Sequence, residues 1–157
     1  MKKIILLFGF VTFMHISLNA QNTSNISNSY AKNVFFEIGG PGLASLNYDM
    51  RFNKTEQGLG FRAGIGGFPG ILTLPFGLNY IASKDNKHFF EFGAGFTVSS
   101  VKEQGSDMFS NSFGHTTVGY RLQPKDGGFT FRATLNPLFT GDGFFPFYAG
   151  LGFGWKF

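Results

Sequence analysis

The feature that most constrains this chain is alternation with no helical competitor. From Asn33 to the last residue, eight segments put apolar side chains on every second position and small or polar ones between them. Successive side chains leave a strand on opposite faces, so a period of two marks a strand with one apolar face. The last segment is the clearest. Phe147, Ala149, Leu151, Phe153, Trp155 and Phe157 share one parity, while Tyr148, Gly150, Gly152, Gly154 and Lys156 take the other. Strands are expected at about 33–40, 43–53, 58–67, 71–82, 88–98, 113–122, 129–140 and 145–157, separated by turn formers.

Eight alternating strands fit two architectures. A soluble barrel turns the apolar face inward, and a membrane barrel turns it outward. The composition of the second face separates them. The chain holds 23 Gly and 23 Phe, with 14% charged residues, against about 25% charged in an ordinary soluble domain. The second face is mostly glycine with isolated charges, a poor solvent surface but a suitable lining for a narrow lumen. Eight strands leave an interior just wide enough for side chains to fill. The apolar face is continuous, aromatic and free of charge. Strands of about 10–12 residues match the length that crosses a bilayer at a tilt. The expected fold is therefore an all-β, eight-stranded antiparallel up-and-down transmembrane β-barrel. A lipocalin-like soluble ligand-binding barrel is the alternative architecture.

The inward parity then contains Glu37, Asp49, Arg51, Arg62, Glu91, His115, Arg121, Arg132 and Lys156. Acids and bases in a tight lumen must pair, because an isolated buried charge costs several kcal/mol. The expectation is a lumen charge network that fills the barrel, leaving it too narrow for an open aqueous channel.

The N-terminus, MKKIILLFGFVTFMHISLNAQ, has two lysines, an apolar run from Ile4 to Phe13 and Ala20 before Gln21. This is a secretory signal peptide pattern, expected over 1–20. A polar leader follows over 21–32, and the barrel occupies 33–157. The formal charge of +4 falls to +2 once Lys2 and Lys3 are removed with the signal. So small and scattered a charge is no footprint for nucleic acid. There is no Cys, hence no disulfide framework.

Several stretches carry a resemblance. GYRLQPKDGGFTFRATLNPLF (119–139), SLNYDMRF (45–52), LPFGLNYI (74–81) and the terminal GLGFGWKF resemble small outer-membrane β-barrel proteins of Bacteroidota. That family is largely without an assigned biochemical function, so the resemblance implies a location and a fold but no activity. The C-terminal pattern of Leu151, Phe153, Trp155 and Phe157 is also similar to the signal read by the barrel-assembly machinery. The resemblance implies outer-membrane lipid as the surroundings and that machinery as a partner in biogenesis.

In an even-stranded barrel both termini lie on the periplasmic side, where the turns are short. NKTEQG (53–58), SKDNK (83–87) and QPKDGG (123–128) become periplasmic turns. GGPG (39–42), GGFPGI (66–71), TGDGFF (140–145) and the long 99–113 segment face outward. The last has room for a contact surface toward another cell-surface component.

Catalysis is the competing class. A lipid-modifying hydrolase needs a nucleophile, a base and an orienting acid within hydrogen-bond reach. His115, Glu91, Ser110 and Ser112 are the conceivable members, but the inward parity of His115 points away from lipid. His88, beside a turn, is expected to be solvated. GLGFRA (58–63) matches a dinucleotide fingerprint in letters only, with no helix after it. No His/Cys cluster has metal-ligand spacing, and no pattern calls for a cofactor. The expected protein is a non-enzymatic outer-membrane barrel with a narrow plugged lumen and a structural or surface-interaction role.

Overall fold

The computed structural model describes residues 30–101 and 112–157. The expected signal peptide, the leader as far as residue 29 and positions 102–111 of the long loop lie outside the described residues.

Every regular element among the described residues is a strand. They are β1 (Lys32–Gly39), β2 (Ala44–Arg51), β3 (Gly58–Phe68), β4 (Ile71–Ser83), β5 (His88–Val101), β6 (Phe113–Leu122), β7 (Gly128–Leu135), β8 (Leu138–Thr140), β9 (Gly143–Phe145) and β10 (Ala149–Lys156). Each stave pairs antiparallel with the next, and β10 pairs with both β7 and β1. The sheet thereby closes into an eight-stave barrel. At the seam the Phe157 amide donates to the Lys32 carbonyl at 3.1 Å. Closure matters because an open edge cannot hydrogen-bond to hydrocarbon.

The expected seventh and eighth strands each break in two. β8 continues the stave of β7 along β6: Val118 faces Leu135, and His115 faces Leu138 without a change of register. Pro137 sits in the gap and has no amide hydrogen to offer. On the facing stave, Ala149 opposes Leu135 but Phe145 opposes Leu138. That stave therefore contains one extra residue, a bulge at 146–148 opposite the proline. A one-residue bulge exchanges the faces beyond it. Phe144, not Phe145, consequently lies beside the outward Phe139, with ring centroids 5.0 Å apart. Phe147, at the bulge, is 88% exposed.

The apolar parity faces out on every stave. Phe36, Leu46, Ile65, Leu74, Leu78, Phe96, Val118, Leu151 and Trp155 are among the exposed apolar side chains. Within the strands the outward parity carries no Asp, Glu or Arg, and Lys32 at the rim is its one Lys. An exterior band of this extent far exceeds the few hundred Å² of apolar patch a soluble monomer exposes. This orientation is the reverse of a lipocalin-like barrel and suits a hydrocarbon surround.

Tyr30 and Phe157 share one end of the barrel with the turns 52–57, 84–87 and 123–127; the connections 40–43, 69–70 and 141–142 lie at the other. At that second end two connections depart from expectation. The 39–42 segment does not reach outward: Gly40, Pro41, Gly42 and Leu43 are all buried, folded into the lumen. The connection after β3 is only Pro69-Gly70, with Gly70 at φ +90, so it leaves no loop to speak of.

Candidate functional site in the barrel lumen

The inward parity delivers every predicted ionisable side chain to the lumen. Glu37, Asp49, Arg51, Arg62, Glu91, His115, Arg121, Arg132 and Lys156 are all buried. Strand pairing brings acids and bases onto adjacent staves, as where Asp49 on β2 faces Arg62 on β3.

Three clusters result. In the first, Arg62 donates to both carboxylate oxygens of Glu37, and its Nε donates to Asn47 Oδ1 at 3.0 Å. In the second, Arg132 grips Glu91 with two nitrogens, Nε to Oε2 at 3.0 Å being one contact. Arg51 reaches Asp49 Oδ1 at 2.8 Å and the Gly58 carbonyl at 2.9 Å. Asn79 bridges the acids of this cluster, donating Nδ2 to Asp49 at 2.5 Å and to Glu91 at 3.0 Å. Arg121 lies between the same carboxylates, with Nη2 3.0 Å from Asp49 Oδ1 and Nε 3.9 Å from Glu91 Oε2. These are ion-pair distances without aligned hydrogen bonds, so Arg121 contributes charge balance more than directed bonding.

The third cluster closes the end that holds Tyr30 and Phe157. Lys156 Nζ contacts Glu56 Oε2 at 2.5 Å and donates to the Pro124 carbonyl at 3.1 Å. Gln123 Nε2 adds a bond to the same Glu56 oxygen at 3.4 Å. Glu56 belongs to the 53–58 segment, expected as a short polar turn with no part in the lumen network. The turn instead folds over the mouth, with Glu56 and Gln57 buried.

The opposite end is closed by backbone. Thr73 and Thr97 donate their hydroxyls to the carbonyls of Gly42 and Pro41, at 2.8 and 3.1 Å. His115 Nδ1 lies 3.4 Å from the Thr97 hydroxyl. Leu43, at φ +65, and the buried Phe113 and Leu138 complete this plug.

Alternation also places aromatics inward, Phe35, Phe89 and Phe113, which the charge list passed over. Phe35 is buried, with the Arg132 and Arg62 guanidinium carbons 4.2 and 5.1 Å from its ring centroid. A Cβ added at Gly154 would stand 2.4 Å from Phe35 Cβ, so glycine on the neighbouring stave makes the slot. Asn47, Asn79 and Phe35 all have inward parity and were legible in the sequence. Glu56 lies in a turn, where no periodicity points.

Among the described residues the hydrolase constellation is not assembled. His115 faces Gly95 on β5, four residues from Glu91, a separation of about 13 Å along a strand. Both Glu91 oxygens are held by Arg132 and Asn79. Ser112 Oγ accepts from the Ser99 amide at 3.4 Å, and Ser110 lies outside the described residues. Among the described residues no group of three His, Cys, Asp or Glu side chains is placed to hold a metal ion.

No protein-family model and no curated protein matches the chain. Two solved structures share its fold. One is the N-terminal β-barrel domain of Pseudomonas aeruginosa OprF, with a TM-score of 0.54 and 16% identity, covering 83% of this chain and 98% of that one. The other is the outer membrane protein Ail of Yersinia pestis in a phospholipid bilayer nanodisc. Its TM-score is 0.52 at 12% identity, covering 82% of this chain and 98% of that one. At these identities the likeness is one of fold.

Proposed function

We propose that this chain is a small integral outer-membrane barrel with a structural or cell-surface contact role and no catalytic activity, of the Bacteroidota type its motifs resemble. The observation that carries the reading is the division of the staves. The outward parity is apolar and aromatic, and the acids and bases meet one another inside. A lumen packed with paired charges, with a clasp at one end and the 40–43 turn at the other, supports a role without catalysis. Chemistry toward other molecules then belongs to the exterior and the rims.

The termini and short turns are placed in the periplasm, and the 99–113 segment on the cell surface as the contact region. Outer-membrane lipid surrounds the belt, and the barrel-assembly machinery reads Leu151, Phe153, Trp155 and Phe157 during insertion. Cell fractionation combined with a gel of unboiled and boiled samples tests the reading. The protein is expected in the outer membrane, migrating differently before and after boiling. Recovery in the soluble periplasmic fraction would refute it. Labelling of intact cells is expected at cysteines introduced at Ser99 and not at Asp126.

A further inference from the structure

The turn between β4 and β5 carries a built feature outside the lumen network. Ala82, Ser83, Lys84, Asp85, His88 and Phe90 line a groove of about 530 Å³. The turn is rigidly made. Asp85 Oδ1 accepts from the Ser83 hydroxyl at 2.8 Å and from the Lys87 and His88 amides at 3.0 and 2.8 Å. Asn86 takes the left-handed conformation at φ +55, which Asn tolerates better than most residues. These three donors to Asp85 hold its carboxyl down at about 2, so it stays ionised at any ordinary pH.

The second carboxylate oxygen, Oδ2, is not used by the turn. It stands 3.9 Å from His88 Nε2, too far for a hydrogen bond. The other imidazole nitrogen, Nδ1, is 2.5 Å from the Tyr120 hydroxyl on β6, which fixes the ring. The groove therefore offers one fixed anion beside a lysine ammonium and an imidazole. Its floor, Ala82 and Phe90, has the outward parity of its strands and runs directly into the apolar belt.

We propose that this groove seats a glycerophospholipid with a primary-ammonium headgroup. Its ammonium meets Asp85 Oδ2, its phosphate meets Lys84 and His88 Nε2, and an acyl chain lies along Ala82 and Phe90. The argument rests on the membrane reading above. Continuity with the belt selects lipid as the occupant, and the paired signs of the rim select a zwitterion. Phosphatidylcholine carries the same phosphate, but its quaternary ammonium has no N–H to donate to Asp85.

Native mass spectrometry tests this on the folded protein in detergent, with limiting phosphatidylethanolamine, phosphatidylcholine or phosphatidylglycerol of identical chains. Retention of phosphatidylethanolamine should exceed that of phosphatidylcholine by roughly tenfold, the value of one charge-assisted hydrogen bond. Asp85→Asn keeps an acceptor for the turn and should abolish that preference. Lys84→Gln should weaken all three lipids together. Equal retention of the three lipids by wild type, or a preference that survives Asp85→Asn, would overturn the site. Insertion into vesicles and the gel shift are read on the same samples. A protein that inserts without lipid preference loses this site alone, whereas one that fails to insert loses the membrane reading.

Discussion

Leu78 and Asn79 are neighbours in β4 with opposite surroundings. Leu78 points out of mid-strand, 53% exposed, between Phe61 and Ala94 on the flanking staves. Asn79 is buried and bridges Asp49 to Glu91. An arginine at the first position must drag its charge into hydrocarbon. Leu78→Arg should cost about 2–4 kcal/mol if it lies near the bilayer midplane. Asn79→Leu removes a donor from buried carboxylates and should cost about 1–3 kcal/mol by a different route. Urea unfolding from lipid vesicles measures both, and bilayer thickness separates them. Thinner lipid should relieve the arginine and leave the Asn79 variant unchanged. A neutral Leu78→Arg would mean that this face does not meet lipid. Gly60 shows why the inner face is so bare: a Cβ there would stand 2.3 Å from the Met50 carbonyl and 2.4 Å from Arg51 Cζ. The arginine and the glycine beside it are one solution to one crowding problem.

Among the elements, the 52–57 turn is more than a connection. It delivers Glu56 to Lys156, one hundred residues away in the chain, at a mouth where both side chains are nearly inaccessible. Removing one partner of a buried pair leaves the other without its counter-charge, a loss of about 3–5 kcal/mol in fully enclosed sites. Glu56→Ala should fall toward the lower end, because this pair sits at a rim where water enters when the clasp opens. The double variant Glu56→Ala, Lys156→Met removes both charges and should recover most of that loss. Urea midpoints of the two singles and the double complete the cycle. A Glu56→Ala protein as stable as wild type would show that the clasp contributes nothing. The other end is closed differently, by the 40–43 turn on two threonine hydroxyls. Its lock is neutral, so the two ends should respond differently to salt.

At the scale of the whole molecule, closure is the event that matters, and Phe157 stands at it. Its amide completes the β10–β1 seam at Lys32, and its ring adds apolar surface worth at most about 1.5–3 kcal/mol. Deleting it leaves eight paired staves, so purified protein should still refold into detergent or thin lipid. In cells the same deletion should lower the inserted amount much further, because the terminal pattern resembles the signal for assembly. Comparing refolding yield with surface level measures the two effects separately. Equal surface levels for wild type and deletion would leave Phe157 as one exposed side chain among many.

Side-chain direction is local information, and alternation carries it whole. From the pattern alone follow the staves, the outward parity of Leu46, Leu78 and Leu151, and the inward parity of the acids and bases that meet in the lumen. What a strand's pattern does not contain is curvature. The bending of the sheet made the charged face concave and left the apolar face outside, and composition pointed to that outcome only indirectly, through the glycines, the scarcity of charge and the charge-free aromatic face. Partnerships across the lumen likewise depend on closure. Arg121 finds Asp49, Phe35 finds a slot beside Gly154, and Glu56 finds Lys156, because closing the barrel brings together staves far apart in the chain. The inward fold of 40–43 and the bulge opposite Pro137 belong to the same class. Each depends on what another stave presents, and no periodicity along one strand records its neighbour.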